Sequence, residues 1–246
     1  MQEQIKKAAE IIKASEYCIA FCGAGISIES GIPTFRGEGG IWNQYDPACL
    51  DIDNYYRKPA ESWKLIREIF YDSFGKAVPN PAHHALAELE HMKILKAVIT
   101  QNIDNLHHEA GSKNVYEFHG NSRTFVCTAC ETVFEKTEIN LNARIPLCLK
   151  CNSLLKPNFI FFGEGIPEPA GSKSFELAEK CDVILVIGTT GEVMPACNIA
   201  YVAKRKGAKV IEINPGKSAY TDHITDIYLA GKAGEILPQL VEYLKS

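Results

Sequence analysis

The 246-residue chain has no excess of one charge: 26 Lys and Arg against 30 Asp and Glu leave a formal net charge of −4. No global positive field exists to hold a phosphate backbone, so direct nucleic-acid binding is not expected. It also lacks a long hydrophobic run. The stretch Val183 to Ile187 is far too short to span a bilayer, and Met1 to Lys13 alternates charge with Ala and Ile where a leader would be apolar. A cytoplasmic address away from membranes is the expectation. There is no low-complexity bias and no internal repeat, and 18 Gly and 12 Pro are ordinary, which points to one large globular domain or one domain with a small insert. The sequence has no Gly-x4-Gly-Lys-Ser/Thr loop and no Ser in a nucleophile elbow, which counts against P-loop phosphoryl transfer and acyl-serine hydrolysis.

Nine cysteines are present, an odd number for a secreted disulfide framework and a better fit to a reducing compartment. Four of them, Cys127-x2-Cys130 and Cys148-x2-Cys151, have zinc-ribbon spacing, in which two tight turns each offer two thiolates to one tetrahedral ion. The alternative is four buried thiols or two disulfides. Four thiolates would leave the ion no open position, so such a zinc is structural. Cys18, Cys22, Cys49, Cys181 and Cys197 show no pairing, and core filling is expected of them.

Short apolar runs alternate with helical periodicity along most of the chain. Strands are predicted at 17–21, 96–100, 115–118, 183–187, 209–213 and 227–229, and helices at 2–13, 83–91, 173–180, 195–206 and 234–244. Asn80-Pro81 reads as a cap and a first-turn proline for the helix carrying His83. Buried strands separated by amphipathic helices argue a mostly parallel sheet in a doubly wound α/β domain. Two stretches break the alternation and together are expected to form a small second lobe: a helical insert at 46–78 and a zinc-binding insert at 122–156.

Directly after the first strand, Gly23-Ala24-Gly25 is either a nucleotide-binding turn or an ordinary strand-to-helix turn, since Ile28 stands where the dinucleotide fingerprint has a third glycine. Gln101-Asn102-Ile103-Asp104, His119-Gly120, Gly188-Thr189-Thr190 and Asn214-Pro215 also follow predicted strand ends. In an open α/β sheet all of these converge on one crevice. His119 is the only histidine at such a position and is the general-base candidate, whereas His83, His84, His91, His107, His108 and His223 read as helix or loop residues. Asn102 and Asp104 either contact a ligand or cap the following helix. Phe35 and Arg36, on a Gly-flanked loop, suit covering a ring and gripping a phosphate, or form a surface turn.

These residues, in this order and spacing, together with Gly31-Ile-Pro-Thr-Phe-Arg-Gly37 and Phe162-Gly-Glu164, resemble the sirtuin family over nearly the whole chain. The resemblance implies a single catalytic domain over 1–246, Rossmann-like, with a small zinc-ribbon and helical lobe. It implies NAD as a consumed co-substrate for removing acyl groups from lysines of acylated proteins or peptides. NAD contacts are implied at Ala24, Phe35, Arg36, Gln101, Ile103, Asp104, Thr189, Asn214, Lys232 and Ala233, with Gly23, Gly25, Asn102, His119, Gly188 and Thr190 completing the site. In that chemistry the acyl oxygen attacks the anomeric carbon, nicotinamide departs, and His119 deprotonates a ribose hydroxyl while Asn102 and Asp104 organise the pocket. The products are free lysine, nicotinamide and O-acyl-ADP-ribose. The peptide is expected to lie extended between Phe162-Gly163-Glu164 and Gly191-Glu192-Val193, adding a strand between two edges.

Three departures from the family pattern bear on specificity. Gly191-Glu192 stands where an apolar residue is common, which suggests a preference for basic residues beside the acyl-lysine. No Tyr-x-x-Arg pair occurs between Asp46 and Val78, where Ile66 and Ile69 take the approximate positions, so a neutral acyl group is expected. Cys22 stands where Thr is common, and buried filler is favoured there over a redox-sensitive thiol. Rival readings are a mono-ADP-ribosyltransferase or NAD hydrolase, and a non-catalytic NAD- or acyl-lysine-binding module.

Overall fold

The computed structural model describes residues 1–35, 39–72 and 76–245. Its strands are β1 (Cys18–Cys22), β2 (Leu95–Thr100), β3 (Val115–Glu117), β4 (Gly120–Cys127), β5 (Val133–Glu135), β6 (Leu155–Phe159), β7 (Val183–Ile187), β8 (Lys209–Asn214) and β9 (Ile227–Ala230). The α-helices are α1 (Gln2–Lys13), α2 (Ile52–Arg57), α3 (Pro59–Ile66), α4 (Pro81–His91), α5 (Leu106–Glu109), α6 (Ala170–Lys180), α7 (Asn198–Arg205) and α8 (Ala233–Lys245).

Six strands form one parallel sheet in the order β3-β2-β1-β7-β8-β9. The central strands are apolar throughout because both faces are covered, and strand periodicity divides their side chains. Ala20, Val98, Leu185 and Ile211 pack with Ile5, Leu86 and Leu237 from α1, α4 and α8. Ile19, Phe21, Ile99, Val186 and Val210 face the opposite way, against Leu177 and Ile199 from α6 and α7. This is the doubly wound sheet expected from the alternation. Chain order reverses between β1 and β7, the position at which such sheets open a crevice.

The two inserts share one core. Tyr55, Trp63, Ile66 and Phe70 from the helical stretch pack with Phe125 from the other and with Phe159 and Phe161 just after it, and the Trp63 indole donates to Tyr55 Oη at 2.9 Å and to the Leu155 carbonyl at 3.1 Å. A three-stranded antiparallel sheet, β5-β4-β6, supports the cysteines; it begins at Gly120 and ends at Phe159, slightly outside 122–156. Residues 67–72 continue α3 as a wider turn, which swings Phe70 toward the crevice.

Asn80 caps α4 as its sequence predicts. Its Oδ1 accepts from Ala82 N at 2.9 Å, while its own N–H reaches His83 Nδ1 at 3.3 Å.

Candidate functional site

Sheet register brings the polar clusters to one level. Cys22 pairs with Thr100 and Ile187, Thr100 with Glu117, and Ile187 with Ile213. The segments leaving these strands therefore start side by side: Gly23 N donates to Ile187 O at 2.9 Å, Gln101 N to Cys22 O at 2.9 Å, Phe118 N to Thr100 O at 2.9 Å and Gly188 N to Ile213 O at 3.1 Å. Above them is a cavity of about 330 Å³, bounded by Gly23, Ala24, Gly25, Phe35, Gln101, Asn102, Ile103, His119, Gly188, Thr189 and Thr190 on the sheet side. Phe159, Phe161, Phe162, Gly163, Glu164 and Val193 form its outer wall.

The glycines of the first loop have a packing reason. A Cβ on Gly23 would lie 2.7 Å from Gly188 O, and one on Gly25 would lie 2.7 Å from Gly188 Cα, so the two loops can touch only without side chains. The loop then opens a 3₁₀ helix, Ala24–Ser30, in place of the α-helix that the nucleotide-loop pattern predicts. Ile28 is half exposed on it, so no third glycine is needed for close packing there.

His119 Nδ1 lies 3.0 Å from the Gln101 carbonyl. A carbonyl only accepts, so Nδ1 carries the proton and Nε2 keeps its lone pair. Burial pushes the His119 pKa below its usual value, against the smaller opposing effect of the Gln101 carbonyl. Nearby, Asn102 Nδ2 donates to Gly23 O at 3.2 Å and to Ser27 Oγ at 3.1 Å, and Ser27 Oγ donates to Asp104 Oδ2 at 2.7 Å. Asp104 Oδ1 accepts from Leu106 N at 3.0 Å, so Asp104 both caps α5 and closes this chain. Burial raises the Asp104 pKa, partly offset by the Ser27 hydroxyl. Ser27 is fully buried and belongs to the same constellation, although its hydroxyl carries no obvious signal in the sequence.

Not every expected residue borders the cavity. Asp104 lines a smaller adjoining pocket with Ser27, Ile32 and Phe35. Asn214 uses its amide to hold Thr189 O at 2.8 Å, Lys232 pairs with Glu235 at 3.8 Å, and Ala233 is buried at the start of α8; these three lie outside the cavity wall. Arg36 and Gly37 lie outside the described residues. Gly191 and Glu192 also stand off the wall. Gly191 is a glycine because its backbone is left-handed (φ +73°) and a Cβ would meet the Tyr220 ring at 2.7 Å. Phe162 is already bridged to the small lobe: its N–H donates to Leu50 O at 2.8 Å and its carbonyl accepts from Ile52 N at 3.1 Å, which leaves Gly163, among the described residues, as the free backbone of that edge.

Ile66 and Ile69 are buried in the small-lobe core, and it is Phe70 that reaches the cavity, beside Phe35 (ring centroids 6.3 Å apart) and Phe159 (5.0 Å). Trp42 and Leu50 extend the same apolar wall. Phe70, Trp42 and Leu50 come from segments outside the parallel sheet whose docking no local pattern reveals. Cys22 is fully buried and burial drives its thiol pKa far up, consistent with filler and not with a reactive thiolate.

Cys127, Cys130, Cys148 and Cys151 place all four Sγ atoms within 4.8 Å of one another. Separations of 3.4 Å (Cys127–Cys151), 3.5 Å (Cys130–Cys151) and 3.7 Å (Cys130–Cys148) are near the sulfur–sulfur edge of about 3.8 Å for tetrahedral Zn–S bonds. Backbone N–H groups of Cys130 and Lys150 point at Cys127 Sγ and Cys148 Sγ, both at 3.4 Å, as suits thiolates. The donor set fits a closed structural zinc.

A model of the Sir2 family matches residues 23–195. The chain is 49% identical to an NAD-dependent protein deacylase of Pyrococcus furiosus, over 97% of each chain. Among solved structures it resembles a Sir2 homologue bound to NAD (41% identity, TM-score 0.90, covering 97% of this chain and 93% of that one). It also resembles a Sir2 variant holding a deacetylated p53 peptide and 3′-O-acetyl-ADP-ribose (35% identity, TM-score 0.90, 97% of each chain).

Proposed function

The chain belongs to the Sir2 family and is an NAD-dependent protein deacylase, and from that premise we propose which of its residues carry the reaction. NAD, when bound, supplies the anomeric carbon that takes the acyl oxygen of the lysine substrate as nicotinamide leaves. His119 Nε2 accepts the proton of a ribose hydroxyl, in the tautomer that the Gln101 carbonyl selects. Asn102 spends its amide N–H groups on Gly23 and Ser27, which turns its carbonyl oxygen free to a ligand donor. Asp104 is held behind it by Ser27. Phe35, on the cavity wall, covers the reacting sugar and excludes water. Asn214, Lys232 and Ala233 hold the adenosine end, beyond the cavity proper.

The acyl group is neutral. Phe35, Trp42, Leu50, Phe70, Ile103, Phe159 and Phe161 line the route to His119, and among the described lining residues there is no Lys or Arg. A terminal carboxylate would be stripped of water there with no cationic partner among those residues. The peptide lies between Gly163 and Val193, and Glu192, exposed and unpaired among the described residues, favours a basic residue beside the acyl-lysine. The zinc holds the lobe that carries this wall. The five cysteines outside the cluster are unpaired, which supports the reducing cytoplasm as the working compartment, and the net charge of −4 supports protein and not nucleic acid as the direct partner.

The observation that carries this reading is that His119 and Asn102 line one cavity beyond the carboxyl ends of β3 and β2, with Asp104 held behind Asn102 through Ser27. Incubating NAD labelled in its adenosine half with acetyl- and succinyl-lysine peptides tests it. The expected result is label in O-acetyl-ADP-ribose, stoichiometric nicotinamide and slower succinyl turnover. Label attached to protein, or free ADP-ribose with the peptides still acylated, would instead establish a transferase or a hydrolase, and faster succinyl turnover would refute the neutral-acyl assignment.

A further inference from the structure

Lys156, the second residue of β6, is buried under the outer wall of the cavity, its side chain 8% exposed. A buried ammonium is tolerated only when its N–H groups all find acceptors, and this one has three: Pro157 O at 3.0 Å, Phe159 O at 2.6 Å and Glu164 Oε2 at 2.9 Å. The ammonium also lies 4.3 Å from the centroid of the Phe161 ring. Glu164 Oε2 accepts in addition from Phe161 N at 2.6 Å. Every one of these partners belongs to the eight-residue stretch 157–164. That stretch contains Phe159 and Phe161, which face the acyl route, and Phe162 and Gly163, which face the peptide. Pro157 and Phe159 stay paired with Phe125 and Gly120 of β4, so the ammonium ties the end of β6, through these two carbonyls, to the turn at 161–164 that Glu164 closes. Burial lowers the Lys156 pKa while Glu164 opposes that shift.

We propose that Lys156 is a positioning residue for the acyl-lysine substrate, its ammonium and the Glu164 carboxylate together holding the turn at 161–164, which forms the peptide wall, against the end of β6. The proposal rests on Phe162–Glu164 being that wall. Lys156 does not line the cavity, so its loss loosens the wall while the sheet-side loops keep their own hydrogen bonds.

The test compares Lys156→Met, which keeps the apolar stem, Glu164→Gln, the double variant and Phe162→Ala in zinc-loaded enzyme, with KM for acetyl-lysine peptide, KM for NAD, and kcat. Loss of a charge-assisted contact predicts a rise of roughly tenfold in peptide KM for each single variant at the ion pair, with NAD KM held within about twofold. The double variant should be no worse than the worse single one, because the two groups act as a unit. Unchanged peptide KM in Lys156→Met, with Phe162→Ala still raising it, would overturn the positioning role and leave the groove intact. Unchanged peptide KM in Phe162→Ala as well would overturn the groove. Equal rises in NAD KM and peptide KM, or additive effects in the double variant, would reduce Lys156 to a general stabiliser and also overturn the proposal. Should Lys156→Met fail to fold, Glu164→Gln, on the more exposed side of the pair, gives the same readout, and an unchanged peptide KM there is decisive against it.

Discussion

His119 holds its Nδ1 3.0 Å from the carbonyl oxygen of Gln101, and Gln101 itself leaves β2 beside the strand end of Cys22. The contact fixes which nitrogen is basic, and burial favours the uncharged ring, so the pKa of His119 falls below 6.5. A base must be unprotonated to work. The acidic limb of kcat/KM against pH should therefore have its midpoint below 6.5; a midpoint at or above 6.5 would contradict this.

Ser27 connects Asn102 to Asp104 by two hydrogen bonds. Ser27→Ala takes one buried hydrogen bond from each side chain, leaving Asn102 with Gly23 O and Asp104 with Leu106 N as partners, and a loss of this kind corresponds to roughly a tenfold rise in KM for NAD. The pH midpoint assigned to His119 should not move, because Ser27 does not touch it. Unaltered NAD KM in a folded Ser27→Ala enzyme would remove Ser27 from the site.

His83 and His107 form a second buried pair, their rings 4.9 Å apart, outside the cavity. Burial lowers His83 from 6.5 to about 4 and lowers His107 as well. Below pH 6.5 the unfolded chain binds protons that the folded chain refuses, so stability falls with decreasing pH and the His83 contribution levels off near 4. The full His83 effect is of order 3 kcal/mol. Urea midpoints at pH 7, 5.5 and 4.5 should drop less steeply in His83→Gln, which keeps an acceptor for Asn80 N; parallel declines in the two proteins would contradict the assignment.

The four clustered thiols predict one zinc per chain. Stripping it with a chelator should disorder the small lobe and cut deacylase activity by roughly tenfold or more while the parallel sheet keeps its circular-dichroism signal, since only the lobe folds around the ion. Full activity in metal-free protein would show the cluster to be dispensable.

The parallel sheet was legible because β1, β2, β7 and β8 are buried on both faces, and continuous apolar runs such as Val183–Ile187 have no other stable use in a chain of this composition. The placement of His119 and Gln101–Asp104 followed from strand ends alone. The small lobe was harder to read. β4 changes register between Gly120 and Phe125, and its partners are set by the cysteine cluster and by Trp63 and Tyr55 from a distant segment, so period-2 reading fails there. For the same reason Ile66 and Ile69 could not be told from Phe70, because the wider turn at 67–72 shifts the helical phase that decides which side chain faces the cavity. Gly191 could be explained only once Tyr220, 29 positions later in sequence, was seen to occupy the space of its missing Cβ.

The most direct test of His119 as the base is single-turnover deacetylation by wild type and His119→Ala, following acetyl-peptide, nicotinamide and O-acetyl-ADP-ribose together. Loss of a positioned general base predicts O-acetyl-ADP-ribose formation slower by roughly 10² or more, with zinc content and melting temperature unchanged. Wild-type rates of O-acetyl-ADP-ribose formation in His119→Ala would contradict the account, because proton removal from the ribose would then not pass through this residue.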